Sequence, residues 1–468
     1  MIFHSLEYVI FLLLVLLVYW RLPFRAQNVF LLAAGYVFYG FVHPTWVLLI
    51  FFTCLLDFSA SRWIERFPER KKWFLALSLI VNFSILCYFK YANFFIENIT
   101  AVLGQFGLNL SGWQREILIP AGVSFYTFHS ASYTIDVYRG HIQARKSLVD
   151  YLLFVSFFPQ LVAGPIHRAS FLLSQVETPR IFDSQMARGA VTLLAWGYFK
   201  KLCIADNVGV ITGTIFSLEN PSFPVIWMGV LAFAVQIYAD FSAYSDIARG
   251  CGRLFGFEMV INFNHPYTAD SMADFWRRWH ISLSTWFRDY VYIPLGGNRG
   301  TALRNAFTVI ATFFLSGLWH GASWNYVIWG LYHGCLLVLW RHCRMDRIWR
   351  PLRVGLVFML VCIGWLFFRE ENLAMAWRYL TTNPLLADVK QWQVGAYFLA
   401  TIALYAFPLW LHPYVERWLK RKQTGGEGLG QYPGWNWALA QAVLVTVLFV
   451  AILLIRSTVT GEFIYFQF

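Results

Sequence analysis

The stretch Ser316-Gly-Leu-Trp-His-Gly-Ala-Ser-Trp-Asn-Tyr-Val-Ile-Trp-Gly330 sets an imidazole, His320, between two apolar runs, residues 306–318 and 327–340. Arg304 precedes the first run and Arg341 follows the second, so both outer ends belong on one side of a membrane. Residues 317–323 then lie at the far end of a helical hairpin or within its depth. An ionisable side chain at membrane depth is costly and marks a candidate functional site, although a lone histidine in an apolar helix is often a satisfied structural residue. A second block lies about forty residues upstream, Asp274-Phe-Trp-Arg-Arg-Trp-His-Ile-Ser-Leu-Ser-Thr-Trp-Phe-Arg-Asp-Tyr290, and carries His280.

The rest of the chain reads as membrane protein throughout. It is 58% hydrophobic and 13% charged, with 22 Trp, 24 Tyr and 45 Phe, a balance foreign to a soluble domain. Apolar runs recur at residues 8–20, 29–40, 46–56, 73–88, 151–163, 191–198, 225–238, 306–318, 327–340, 354–368, 394–411 and 437–455. At about 20 residues per span, they predict an all-α, multi-pass protein of roughly 10–13 helices, broken and re-entrant segments included. One membrane domain over residues 1–468 is expected. Within it lie a basic, glycine-rich cytoplasmic loop at 417–434 and an extracytoplasmic tail at 456–468.

The net charge of +12 does not point to nucleic acid, because the basic residues sit in short clusters between apolar runs, as topology requires. Nothing basic precedes the first run while Arg21 and Arg25 follow it, which argues against a signal peptide and for an outward N-terminus. Clusters at 62–72, 139–146, 249–253, 277–304, 341–353 and 417–422 mark cytoplasmic sides, and residues 207–230, free of Lys and Arg, face outward. The seven cysteines show neither a CxxC pair nor metal-ligand spacing, so no metal site is expected. Two regions, 122–140 and 265–300, are too polar for lipid-facing spans and too aromatic for solvated loops. Such segments sit at membrane depth only where protein or a water-filled cavity surrounds them.

Several blocks, taken together and in order, carry a family likeness: Phe158-Pro-Gln-Leu-Val-Ala-Gly-Pro-Ile-His-Arg168, Gly197-Tyr-Phe-Lys-Lys201 with Ala205-Asp-Asn207, Gln236-Ile-Tyr-Ala-Asp-Phe-Ser-Ala-Tyr-Ser-Asp-Ile-Ala248, and the two histidine blocks. The chain resembles the bacterial alginate O-acetylase-like branch of the membrane-bound O-acyltransferase family over nearly its whole length. It departs where the alginate members carry glycine and this chain has Ala243, a difference of one methyl. The resemblance implies a central funnel or tunnel in which a cytoplasmic acyl donor meets an acceptor from the opposite face. It maps the family's essential histidine onto His320 and a second characteristic polar position onto His280. The chemistry is consistent, since thioester acyl transfer needs a base for the attacking hydroxyl and histidine titrates near neutral pH. His333 also falls in a family block and reads better as helix packing. Gly317 and Gly321 either thin the helix beside His320 for a thioester or serve ordinary small-residue packing.

Arg277, Arg278, Arg288 and Arg299 cluster with Trp276, Trp279 and Trp286 on the side that the charge pattern makes cytoplasmic. Guanidinium pairs bidentately with phosphate and an indole can cover adenine or pantetheine, which suits acetyl-coenzyme A as donor substrate, with no tightly bound cofactor. The competing reading is anionic membrane lipid and topology. Asp240, Asp246 and Asn262 lie in apolar or aromatic surroundings and partner nearby polar groups, in pairings the sequence does not assign.

The last residues, Phe463-Ile-Tyr-Phe-Gln-Phe468, resemble the C-terminal motif of the small membrane partner in teichoic-acid D-alanylation, whose tyrosine is proposed to accept an acyl group. Tyr465 is the matching position; a plain aromatic interfacial anchor is the alternative. The expected function is transfer of acetyl from cytoplasmic acetyl-coenzyme A across the bacterial inner membrane for O-acetylation of an exopolysaccharide of alginate or cellulose type. A separate periplasmic esterase-like O-acetyltransferase is the implied partner. Two other classes compete: a transporter or channel for an acyl group or lipid-linked sugar, and a structural subunit of a polysaccharide synthase. The inverted repeats common in transporters are not seen.

Overall fold

The structure, a computed structural model, describes residues 1–106, 111–343, 345–424, 435–459, 461 and 463–464. Among them every regular element is helical: α1 (Leu6–Tyr19), α2 (Phe24–Gly40), α3 (Thr45–Arg66), α4 (Lys71–Leu103), α5 (Val123–Tyr138), α6 (Leu148–Ser156), α7 (Phe158–Leu161), α8 (Ala169–Val176), α9 (Ser184–Phe199), α10 (Asp206–Phe216) and α11 (Phe223–Leu254). There follow α12 (Met272–Arg278), α13 (Ile281–Phe287), α14 (Ala302–His320), α15 (Trp324–His342), α16 (Arg350–Arg369), α17 (Leu373–Thr381), α18 (Val389–Thr424) and α19 (Trp435–Ile455). Among the described residues, seven helical stretches are long and apolar enough to cross a membrane, at Thr45–Arg66, Pro68–Phe106, Phe223–Leu254, Ala302–His320, Arg350–Arg369, Val389–Val415 and Ala438–Ile455. The protein is a multi-pass, all-α membrane protein, as the apolar runs predict.

The chain divides into two compact units, residues 1–190 with 251–260, and residues 191–250 with 261–468. In the first unit the run 151–163 is not a span. It breaks at Phe157 into α6 and α7, whose residues from Tyr151 onward are buried in protein. α5, the core of the polar region 122–140, is enclosed along almost its whole length. A buried carboxylate, Asp57 on α3, accepts hydrogen bonds from Ser78 Oγ at 2.6 Å and Asn82 Nδ2 at 2.8 Å on α4, tying those helices together. Such pairing is what allows a polar group at this depth.

In the second unit α14 and α15 form the antiparallel hairpin that their basic flanks foretell. Thr301 Oγ1 caps α14 by accepting from the Arg304 amide, and Ser323 Oγ caps α15 by accepting from Asn325. The hairpin closes on glycine: a Cβ on Gly317 would stand 2.2 Å from the Tyr326 carbonyl oxygen, and one on Gly330 would stand 2.3 Å from that of Phe313. Gly317 and Gly321 therefore serve close packing against α15 and the Tyr326 ring. The other polar region, 265–300, supplies α12, α13 and a π-helical turn at Arg288–Tyr292, all in the second unit.

Gly317→Ala should force the hairpin apart and cost about 1–3 kcal/mol. Gly213→Ala, on α10 with open space around it, should change stability by less than about 0.5 kcal/mol. Unfolding of the two variants in detergent checks the difference.

Candidate active site

His320 is the last residue of α14, and the chain turns away from it through the extended Gly321. The ring is 5% exposed and boxed by Trp319, Trp329 and Phe368, with centroids 4.9, 5.0 and 5.2 Å away and all nearly edge-on. Trp319 also approaches the second histidine, at 6.1 Å from the His280 centroid. The two imidazoles thus flank one indole. Phe241 stands edge-on to His280 at 4.6 Å, completing an aromatic enclosure that keeps bulk water from both rings.

His280 occupies the joint between α12 and α13 in the left-handed conformation, with φ 43°. A non-glycine residue held there costs about 1 kcal/mol and persists only when its surroundings over-determine it. Asn262 does so. Its Oδ1 accepts from the Ser282 amide at 3.2 Å and Ser282 Oγ at 2.9 Å, and lies 3.2 Å from His280 Nδ1. Its backbone carbonyl accepts from the Ile281 amide, and its Nδ2 donates to Ser245. Because the Ser282 amide can only donate, the Asn262 atom it meets is the oxygen. The neutral His280 ring therefore carries its proton on Nδ1, and Nε2 is the nitrogen with the lone pair.

The second unit also contains cavities. One, of about 480 Å³, has Arg277, Arg288 and Arg341 among its walls, with Phe287, Val309, Thr312 and Ser316 along its length. Ser316 lies four residues before His320 on α14, hence on the same helix face and about 6 Å away along the axis, a little over one turn. A cavity with cationic groups and an apolar lining can hold a phosphorylated head and an extended thioester arm. Two of the four sequence-predicted arginines, Arg277 and Arg288, are brought together here with Arg341, which the sequence reading used only as a mark of topology.

Arg278 goes elsewhere. It pairs with Asp274 at 2.8 Å and faces a different cavity, of about 600 Å³, together with Arg350 and Arg417. Arg299 is exposed in the loop before α14 and lines neither of these cavities. Trp279 is 1% exposed, packed 4.8 Å from Trp365 and 5.1 Å from Phe263, so it is part of the aromatic core behind His280. His333 is fully buried on α15 against Trp276 and Trp329, and only the missing side chain of Gly364 makes room for it.

A π-helical segment, Lys200–Ala205, opens with two consecutive lysines whose side chains find different partners. Lys200 bonds Ser242 and Asp246, each at 2.8 Å, on the wall of a cavity that Asn262 also lines. Lys201 turns to Asp206 at 3.0 Å and Asp240 at 2.9 Å. Asp240 in turn accepts from the amide of Ile464 in the C-terminal tail. Tyr465 lies outside the described residues, as do residues 425–434 of the basic loop.

The profile of the membrane-bound O-acyltransferase family matches residues 31–377, and the chain belongs to that family. It is 38% identical to the protein named "Probable alginate O-acetylase AlgI" of Azotobacter vinelandii, over 98% of each chain. It is 40% identical to the Pseudomonas aeruginosa protein of the same name, over 82% of this chain and 77% of that one. A peptidoglycan O-acetyltransferase of Helicobacter pylori is 33% identical over 75% and 73%. The protein is thus an O-acyltransferase, which decides against both the transporter and the structural subunit.

Asn262→Ala removes the acceptor shared by His280 and Ser282. Loss of about 1.4 kcal/mol of positioning is about a tenfold fall in turnover; acyl transfer measured for the folded variant should drop by at least that factor.

Proposed function

We propose that the protein is an acetyltransferase of the bacterial inner membrane that takes acetyl from cytoplasmic acetyl-coenzyme A and delivers it for O-acetylation of an exopolysaccharide of alginate or cellulose type. The observation that carries this reading is the cavity with Arg277, Arg288 and Arg341 on its walls and Ser316 one helical turn short of His320. Its arginines suit the phosphates of the donor, and its apolar length suits the pantetheine arm. Arg278, Arg299 and Trp279 have no direct place in this donor site and act through the surrounding fold or the membrane surface.

His320 is the general base. It takes the proton of the attacking hydroxyl as that oxygen bonds to the thioester carbonyl carbon. The tetrahedral intermediate collapses with cleavage of the carbon–sulfur bond, and the proton passes from the imidazolium to the departing thiolate. The products are an ester and coenzyme A. The aromatic box lowers the local dielectric and strengthens each of these proton transfers. His280, held with its lone pair on Nε2, orients the hydroxyl.

The first acceptor in this reading is Tyr465. A phenol with a pKa near 10 is a better leaving group than a sugar hydroxyl, so a tyrosyl ester retains enough free energy for onward transfer. Support comes from the docking of Phe463 and Ile464, the tail residues just before it, each 2% exposed in the second unit. A periplasmic esterase-like O-acetyltransferase, with its own nucleophile, then moves the group to the polysaccharide.

Incubation of purified protein with labelled acetyl-coenzyme A should place label on Tyr465, located by mass spectrometry. His320→Ala should abolish both label and coenzyme A release. Tyr465→Phe should abolish the label, and persistence of stable label elsewhere would remove the relay.

A further inference from the structure

The C-terminal segment is held chiefly by its backbone. The Ile455 carbonyl at the end of α19 accepts from Asn207 Nδ2 at 3.0 Å, and the Ser457 amide donates to the Leu202 carbonyl at 3.0 Å. Gly461 lies against Asp206, which accepts its backbone N–H. The Ile464 amide donates to Asp240 Oδ2 at 2.7 Å in a buried setting. Lys201 stands between the two carboxylates, 3.0 Å from Asp206 and 2.9 Å from Asp240, and is itself buried. Alone, two buried carboxylates so close would repel; with the lysine between them they form a clasp in which Asp240 receives the Ile464 N–H on the oxygen turned away from the lysine and Asp206 faces Gly461.

What the clasp seats is aromatic. Phe463 lies 4.5 Å from Tyr244 and 5.8 Å from Phe241 by ring centroids, and Phe241 is the ring that stands edge-on to His280 at 4.6 Å. Packed rings transmit displacement because the interior has no slack to absorb it. The wall behind His280 is therefore completed by a side chain from the far end of the sequence.

We propose that Lys201, Asp206 and Asp240 are positioning residues for acyl transfer: they grip the C-terminal segment by its backbone and so set the Phe463–Phe241 wall against which His280 stands. The enzyme is competent only while its own end is seated. The inference relies on the acyl-transfer reading for its activity readout, and on nothing that Tyr465 does chemically.

The test uses the full chain in detergent, with hydrogen exchange of the tail amides and kcat and KM for acetyl-coenzyme A measured on the same samples. Lys201→Met and Asp240→Asn should speed exchange at Gly461–Ile464 about tenfold or more and lower kcat by a similar factor, with donor KM held within about twofold. Lys201→Arg should preserve both. Phe463→Ala, which leaves the charges intact and guards against misfolding of the clasp variants, should also lower kcat. Tyr465→Phe should leave exchange unchanged, so loss of the relay and loss of the clasp read differently. A loosened tail with unaltered kcat, or a Phe463→Ala enzyme with full kcat, would overturn the proposal.

Discussion

The carboxamide of Asn262 is the contact on which the candidate site depends most heavily. One oxygen gathers the Ser282 amide, the Ser282 hydroxyl and the His280 ring, and the same residue's carbonyl fixes the Ile281 amide. Without that convergence a left-handed histidine between two short helices has no reason to persist, because the conformation itself is uphill. The short helices matter too. A continuous helix through Trp279–Ile281 would place His280 by periodicity alone, whereas the break lets side-chain hydrogen bonds decide where the ring points and which nitrogen is basic.

Charge burial is handled by the same logic of local closure. Lys200 and Lys201 are both buried, yet each meets its own carboxylates, Asp246 for one and Asp206 with Asp240 for the other. Buried ion pairs are poor sources of net stability, since desolvation consumes much of the Coulomb gain. Their value here is in excluding alternatives: any shift that separates a lysine from its partners strands a charge in a medium that cannot solvate it. Aromatic side chains fill the remaining space, so polar groups near the two histidines are few, fixed and shielded from competing water.

Much of this was readable from the residues alone. His320 and His280 announce themselves because an ionisable group in an apolar surround must be explained, and the hairpin of α14 and α15 follows from Arg304 and Arg341. The run at 151–163 looked like a span because hydropathy does not distinguish lipid from protein as the apolar neighbour. The arginine cluster was legible as composition but not as geometry. Arg277 and Arg278 are sequence neighbours, and adjacent residues on a helix point about 100° apart, so they reach separate cavities. Trp279 looked available to a ligand because its burial depends on Trp365 and Phe263, far away in sequence. Asn262 and Asp240 were visible only as polar residues needing partners, since the partners come from other helices and from the tail.

The π-helical segment at Lys200–Ala205 holds one residue more per turn than the helices it joins. Such a turn behaves as a register setting. Rewinding the same residues into ordinary α geometry, without removing one, would rotate everything on one side by about 100° relative to the other. Asp206 and Asn207 would then swing away from the tail. The wide turn thus acts as a phase corrector: it takes up one residue that regular winding would convert into a rotation, and so keeps Asp206 and Asn207 on the side where the tail lies.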